Sequence, residues 1–140
     1  MKLDLSSLRK GVESLGKTLE VADDRDFMSG LSGSQKDAIR AGVIQNFEFT
    51  YELCWKFMRR WLEVNLGSTY VEGVARRQLF RLSAENKLIG DVDQWMEYHD
   101  ARNETAHTYD EDTAEDVFAT AREFLADARK LLQALEARNG

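Results

Sequence analysis

The stretch 38-AIRAGVIQNFEFTYELCWKFMRRWLEV-64 decides the fold. Its apolar residues Val43, Ile44, Phe47, Tyr51, Cys54, Trp55, Phe57, Met58, Trp61 and Leu62 follow the helical period, not the alternation of a strand. Phe47, Tyr51, Cys54, Met58 and Trp61 hold one face, and Ile44, Trp55 and Leu62 widen it. A helix apolar over so wide an arc is expected at the centre of the molecule, buried on more than one side. Part of that face is expected to meet an internal core and part a partner subunit. Proline is absent from all 140 residues, so no position forbids a helix of this length.

Working outward, Leu5, Leu8, Val12, Leu15 and Leu19 step by three and four, which predicts an amphipathic helix over residues 3–22. The acids, glycines and serines of 23-DDRDFMSGLSGS-34 read as a connector, with Ser34 as N-cap of the central helix. Asn65 and Gly67 close that helix, and Ser68 or Thr69 opens a third segment carrying Val74, Leu79, Phe80 and Leu82, predicted helical over about 71–88. Asp91 is the expected N-cap of a fourth helix bearing Val92, Trp95, Met96 and His99. In 112-DTAE-115, Asp112 or Thr113 is expected to cap the last helix, with Glu115 in capping-box position counted from Asp112. Val117, Phe118, Ala121, Phe124, Leu125, Ala128, Leu131, Leu132 and Leu135 then carry one apolar stripe almost to the end. No strand pattern and no internal repeat interrupts this series. The expected fold is all-α, an up-and-down four-helix bundle with a short extra helix, residues 1–140 forming a single domain.

Charge narrows the function classes. The net charge of −6 hides an asymmetry: residues 34–88 hold nine Lys/Arg against six Asp/Glu, while residues 89–120 hold ten acids and one base, Arg102. An acidic molecule is a poor nonspecific nucleic-acid binder, so any RNA contact is expected through Arg59, Arg60, Arg76, Arg77 and Arg81. The single cysteine, Cys54, excludes an internal disulfide and a cysteine zinc cluster, and its apolar neighbours make it a buried structural thiol. No charged-then-apolar leader opens the chain, and no run approaches the roughly 20 apolar residues of a membrane span. A reducing cytoplasm is the expected compartment.

The chemistry concentrates in 100-DARNETAHTYDED-112, where Arg102, Asn103, His107 and Tyr109 fall within eight residues. On a straight helix, Arg102 and His107 diverge by about 140°. They share a site only if the helix ends or bends between them, or if a second chain completes it. A guanidinium holds a phosphate by a planar fork and an imidazole moves protons near neutrality. Together they suit metal-free cleavage of RNA by its own 2′-hydroxyl, for which a two-fold dimer would supply two copies of His107 as base and acid. A metal site drawn from His99, His107, Asp100 and Asp110 is the competitor, weakly signalled because no i, i+4 His pair exists. His99, in line with Trp95, is expected to serve a structural interface. No Gly-rich phosphate loop and no nucleophile elbow is present.

The pattern Arg102-Asn103-x-x-x-His107-x-Tyr109 resembles the signature of HEPN domains. The wider runs 102-RNETAHTYDEDTAEDVF-118, 88-LIGDVDQW-95 and 44-IQNFEFTYELCWK-56 are similar to one branch, the nucleotidyltransferase substrate-binding proteins. The likeness runs from about residue 35 onward. It implies a helical bundle that forms homodimers and works with a separate small nucleotidyltransferase, whose Gly-Ser…Asp-x-Asp motif this chain lacks. It implies two alternative activities. One is a metal-independent endoribonuclease toxin with Arg102 on the phosphate and His107 as acid/base, Asn103 positioning the pair, and Tyr109 the acceptor of a silencing nucleotidyl group. The other is a catalytically silent subunit that presents substrate to the transferase. Neither activity calls for a cofactor or a metal.

Overall fold

The apolar stretch of residues 38–64 lies within one helix of 34 residues, Gly33–Leu66, in the computed structural model, which describes residues 2–139. In chain order the helices are α1 (Ser6–Asp23), α2 (Arg25–Ser29), α3 (Gly33–Leu66), α4 (Arg76–Glu85), α5 (Val92–Glu104) and α6 (Glu111–Ala137). Single 3-10 turns occupy Ser68–Tyr70 and Thr105–His107, and no strand occurs among the described residues. The four longer helices α1, α3, α5 and α6 make the expected all-α bundle. α4 supplies the extra helix, and α2 adds a single turn or so within the segment expected to be a connector.

α3 is central because its wide apolar arc meets α1, α6, α5 and α4 in turn. Phe47, Tyr51, Cys54, Phe57, Met58 and Leu62 are all fully or almost fully buried along it. Four aromatic rings from α3 and α5 converge on Phe124 of α6. Its ring lies 5.1 Å from Phe47, 6.3 Å from Tyr51, 5.7 Å from Trp95 and 5.1 Å from Tyr98, mostly edge to face. Such geometry sets the positive edge of one ring on the negative face of the next. Tyr98 carries its hydroxyl to Asp127 on α6, so the polar end of this core ring finds a partner.

On the opposite flank α1 approaches α3 closely at Gly11. A Cβ there would meet Leu53 Cδ1 at 3.0 Å, and the Gly11 carbonyl accepts a hydrogen bond from the buried Thr50 hydroxyl at 3.0 Å. The chain ends are tied together: Leu3 donates its N–H to Asn139 Oδ1 at 2.8 Å, and Asn139 Nδ2 donates to the Leu3 carbonyl at 2.9 Å.

Helix ends depart from expectation in four places, the first being α1, which starts at Ser6 and not at residue 3. The cap of α3 is Ser32, not Ser34: its hydroxyl accepts from Gln35 N–H at 3.2 Å while Gln35 Oε1 accepts from Ser32 N–H at 2.9 Å. That reciprocal pair outweighs the poor helix propensity of Gly33, which it draws into the first turn. The cap of α6 is Asp110, whose carboxylate accepts from Asp112 N–H at 3.0 Å, so Asp112, Thr113 and Glu115 lie inside the helix. The third helix is shorter than the predicted 71–88, because residues 71–73 form a turn, 74–75 are irregular and Lys87, at φ 62°, breaks the spiral. The caps expected at Asp91 and at Gly67, the latter at φ 103°, are both present.

Phe124→Ala is expected to cost about 3–5 kcal/mol of unfolding free energy, because it empties the junction of three helices at once. Urea titration followed by circular dichroism measures it, and Phe124→Leu should recover most of the loss.

Candidate functional site

Trp95, Tyr98 and Ala101 turn one face of α5 into the core. That anchorage sets Arg102, the next residue along, half-buried against α3. Its Nε donates to Glu52 Oε1 at 3.1 Å, one terminal nitrogen lies 3.4 Å from Glu48 Oε1, and the other donates to the Thr105 hydroxyl at 3.2 Å. Glu48 and Glu52 stand four apart on α3 and therefore on one face. Glu52 also accepts from Trp55 Nε1 at 2.8 Å, which fixes the carboxylate that holds the guanidinium.

α5 then ends at Glu104. Thr105 donates its hydroxyl to the Arg102 carbonyl at 2.7 Å, and the chain tightens into the 3-10 turn Thr105–His107. Thr108 returns a hydroxyl to the Thr105 carbonyl at 3.3 Å, and Asp110 N–H donates to the His107 carbonyl at 3.1 Å before α6 begins. Arg102 is thus in the last turn of α5 and His107 in the turn beyond it, as the spacing required of any shared site. His107 is exposed, its ring edge-on to Tyr109 at 6.3 Å between centroids. Tyr109 is 88 % exposed.

Asn103 reaches back rather than forward: its side-chain amide lies 3.5 Å from Nε2 of His99, one turn earlier on α5. Within the chain His99, expected at a structural interface, belongs to a polar cluster. Its Nδ1 stands 2.9 Å from the Tyr51 hydroxyl, and that hydroxyl accepts from Arg76 at 2.8 Å. The Arg76 guanidinium carbon lies over the Trp55 ring, 3.9 Å from its centroid. Burial, and then the Arg76 charge, hold the His99 pKa below its ordinary value, while burial raises that of the Tyr51 hydroxyl despite Arg76. Neither the cluster nor the Glu48/Glu52 clamp was read from the sequence. The one available signal was a pair of carboxylates at i, i+4 amid the aromatics of α3, spacing suited to a cation from a neighbouring helix.

Other candidates sort clearly. Cys54 is fully buried and burial pushes its thiol pKa up, which suits a structural thiol. Among the basic residues expected to face RNA, Arg59 is paired with Glu63 and Arg77 with Asp93, each at 2.9 Å, and Arg76 is engaged as above. Among the described residues no group of three or more His, Cys, Asp and Glu is placed to hold a metal ion. Beside the 3-10 turn, a cleft of about 450 Å³ is lined by Arg40, Glu48, Thr105, Thr108, Tyr109 and Glu111, among others. Arg40 crosses its edge with two bonds to Glu111, at 2.6 and 2.9 Å.

A family described as nucleotidyltransferase substrate binding protein like matches residues 3–137. The probable ribonuclease HepT of Haemophilus influenzae is 35% identical over 139 residues, spanning 99% of this chain and 95% of that protein. A Haemophilus influenzae structure, described as the fold of a substrate binding domain of a nucleotidyltransferase, superposes with TM-score 0.90 at 34% identity, over 95% of this chain and 99% of the other. A Thermus thermophilus structure superposes with TM-score 0.69 at 26% identity, over 89% and 98%.

The His99 cluster has a consequence for stability. Because the folded pKa is depressed from 6.5, the unfolded chain binds the proton more readily, so stability is lost as pH falls below about 6.5 towards the folded value. Above that range the ring is neutral in both states and contributes no slope. Thermal melts between pH 5 and 8 should show this step, and His99→Gln should remove it.

Proposed function

This chain belongs to the nucleotidyltransferase substrate binding protein like family, and on that footing we propose that it is the helical subunit of a two-component system, a metal-independent endoribonuclease toxin restrained by a separate small nucleotidyltransferase. The observation that carries the reading is the end of α5 at Glu104. It releases His107 from the helical direction that would have carried it away from Arg102, and leaves its imidazole in solvent.

In this reading Arg102 neutralises the phosphate. Glu52 and Glu48 hold the guanidinium ready, and the longer contact, to Glu48 at 3.4 Å, is the one exchanged for a phosphate oxygen. His107 moves the proton, and a homodimer brings two copies of it to one RNA strand, as base for the 2′-hydroxyl and acid for the leaving 5′-oxygen. Asn103 serves the same centre. Tyr109, with its ring almost wholly in solvent, is the acceptor for a nucleotidyl group from the transferase. Modification there sets a bulky anion beside His107 and closes the site. The whole chain acts as one domain, in the cytoplasm; among the described residues no helix is long and apolar enough to cross a membrane.

A second reading has its own observation. The cleft of about 450 Å³ beside Tyr109 has the size of a small-molecule site and a largely polar wall, which suits a silent subunit that presents substrate to the transferase.

Expression of the chain alone is expected to arrest growth, and His107→Ala to restore it with the melting temperature unchanged. Purified protein with chelator present should cleave single-stranded RNA, and Arg102→Ala should reduce the rate by about 10²–10³-fold. Incubation with the transferase and ATP should add one nucleotidyl mass, absent in Tyr109→Phe. Harmless expression together with intact RNA would leave the presenting subunit as the function.

A further inference from the structure

Three residues outside the Arg-His motif meet one another from three helices, next to Asn103: Tyr51 of α3, Arg76 of α4 and His99 of α5. We propose that they form a hydrogen-bond relay, Arg76 to Tyr51 to His99 to Asn103, in which His99 is a positioning residue that turns the amide NH2 of Asn103 outward, beside Arg102, to grip a phosphate oxygen. The inference rests on the ribonuclease reading for its substrate, and on the geometry alone for the relay.

The direction of the relay follows from counting donors. Arg76 has only donors, so the Tyr51 oxygen must accept at the 2.8 Å contact. The single Tyr51 hydrogen is then free, and the acceptor within reach is Nδ1 of His99 at 2.9 Å. A second Arg76 contact to the same Nδ1, at 3.5 Å, also calls for a lone pair there. With Nδ1 as that acceptor, the neutral ring carries its hydrogen on Nε2. The Asn103 amide nitrogen stands 3.5 Å from Nε2. In the relay a half-turn about χ2 replaces it with the amide oxygen, which accepts from Nε2–H, and sends the NH2 outward.

Helical geometry puts this where it matters. Counted at 100° per residue, His99 lies between Arg102 and Asn103 in azimuth, one turn below both. The amide and the guanidinium thus flank the same column of the α5 surface.

The charged and titratable groups around the ring agree with a neutral donor. Tyr51 and Glu52 face it from α3, Arg76 from α4, and Asp100 and Arg102 from α5 itself. Burial and the Arg76 charge dominate, and both disfavour the imidazolium.

The test pairs kinetics with a tautomer measurement. With RNA as substrate, His99→Leu should lower kcat about a hundredfold with KM little changed, since a misaimed amide is lost mainly in the transition state. His99→Gln, which keeps a donor at the place of Nε2, should recover most of that rate. Equal damage from both variants, or none from His99→Leu, overturns the relay's part in cleavage. Nitrogen-15 spectra of the wild-type protein should show His99 as the Nε2–H tautomer, and Tyr51→Phe, which keeps the core ring, should mix in the other. An Nδ1–H tautomer in the wild type overturns the relay itself. If the wild type cleaves no RNA while His99 shows the expected tautomer, the ribonuclease reading falls and the relay stands.

Discussion

The packing of Phe47, Tyr51, Trp95 and Tyr98 around Phe124 is the constraint on which the rest depends. Rings from α3 and α5 meet on a single ring of α6, so three helices are located relative to one another by one cluster. Large rings have few rotamers and a preferred edge-to-face geometry, so the cluster fixes rotation as well as distance. With Trp95 and Tyr98 seated inward, the register of α5 is set, and Arg102 has no choice but to meet α3 at Glu48 and Glu52. Tyr51 joins the two halves of the molecule. Its ring is core and its hydroxyl belongs to the polar cluster.

The same packing resolves an electrostatic difficulty. The segment around Arg102 is dominated by acid, and a lone surface cation there would be one charge in a negative field. Half-burial against two carboxylates and a threonine gives Arg102 a fixed geometry, so the guanidinium is aimed rather than merely present. One acid of the rim, Glu111, is itself occupied by Arg40 across the cleft. His107 and Tyr109 stay outside these networks, exposed on the turn between α5 and α6.

The fold was legible where periodicity is long. The stripes of α1, α3 and α6 could not be strands, and Asp91 and Gly67 marked boundaries by chemistry that needs no tertiary partner. Two of the misread boundaries were places where two caps of similar quality compete within a few residues: Ser32 against Ser34, Asp110 against Asp112. There the winner depends on which backbone is already extended, a property set by how the preceding segment leaves its neighbour.

The sequence by itself determined the helical class, the central place of residues 38–64, and the rule that Arg102 and His107 cannot share a face of a straight helix. Each follows from a fixed number of residues per turn, which is local physics. Only the tertiary structure decided that Glu48 and Glu52 hold Arg102. It alone brought Arg76 and Tyr51 to His99. Those partners lie 23 and 48 residues from His99 along the chain, and no periodicity reports contacts made between helices.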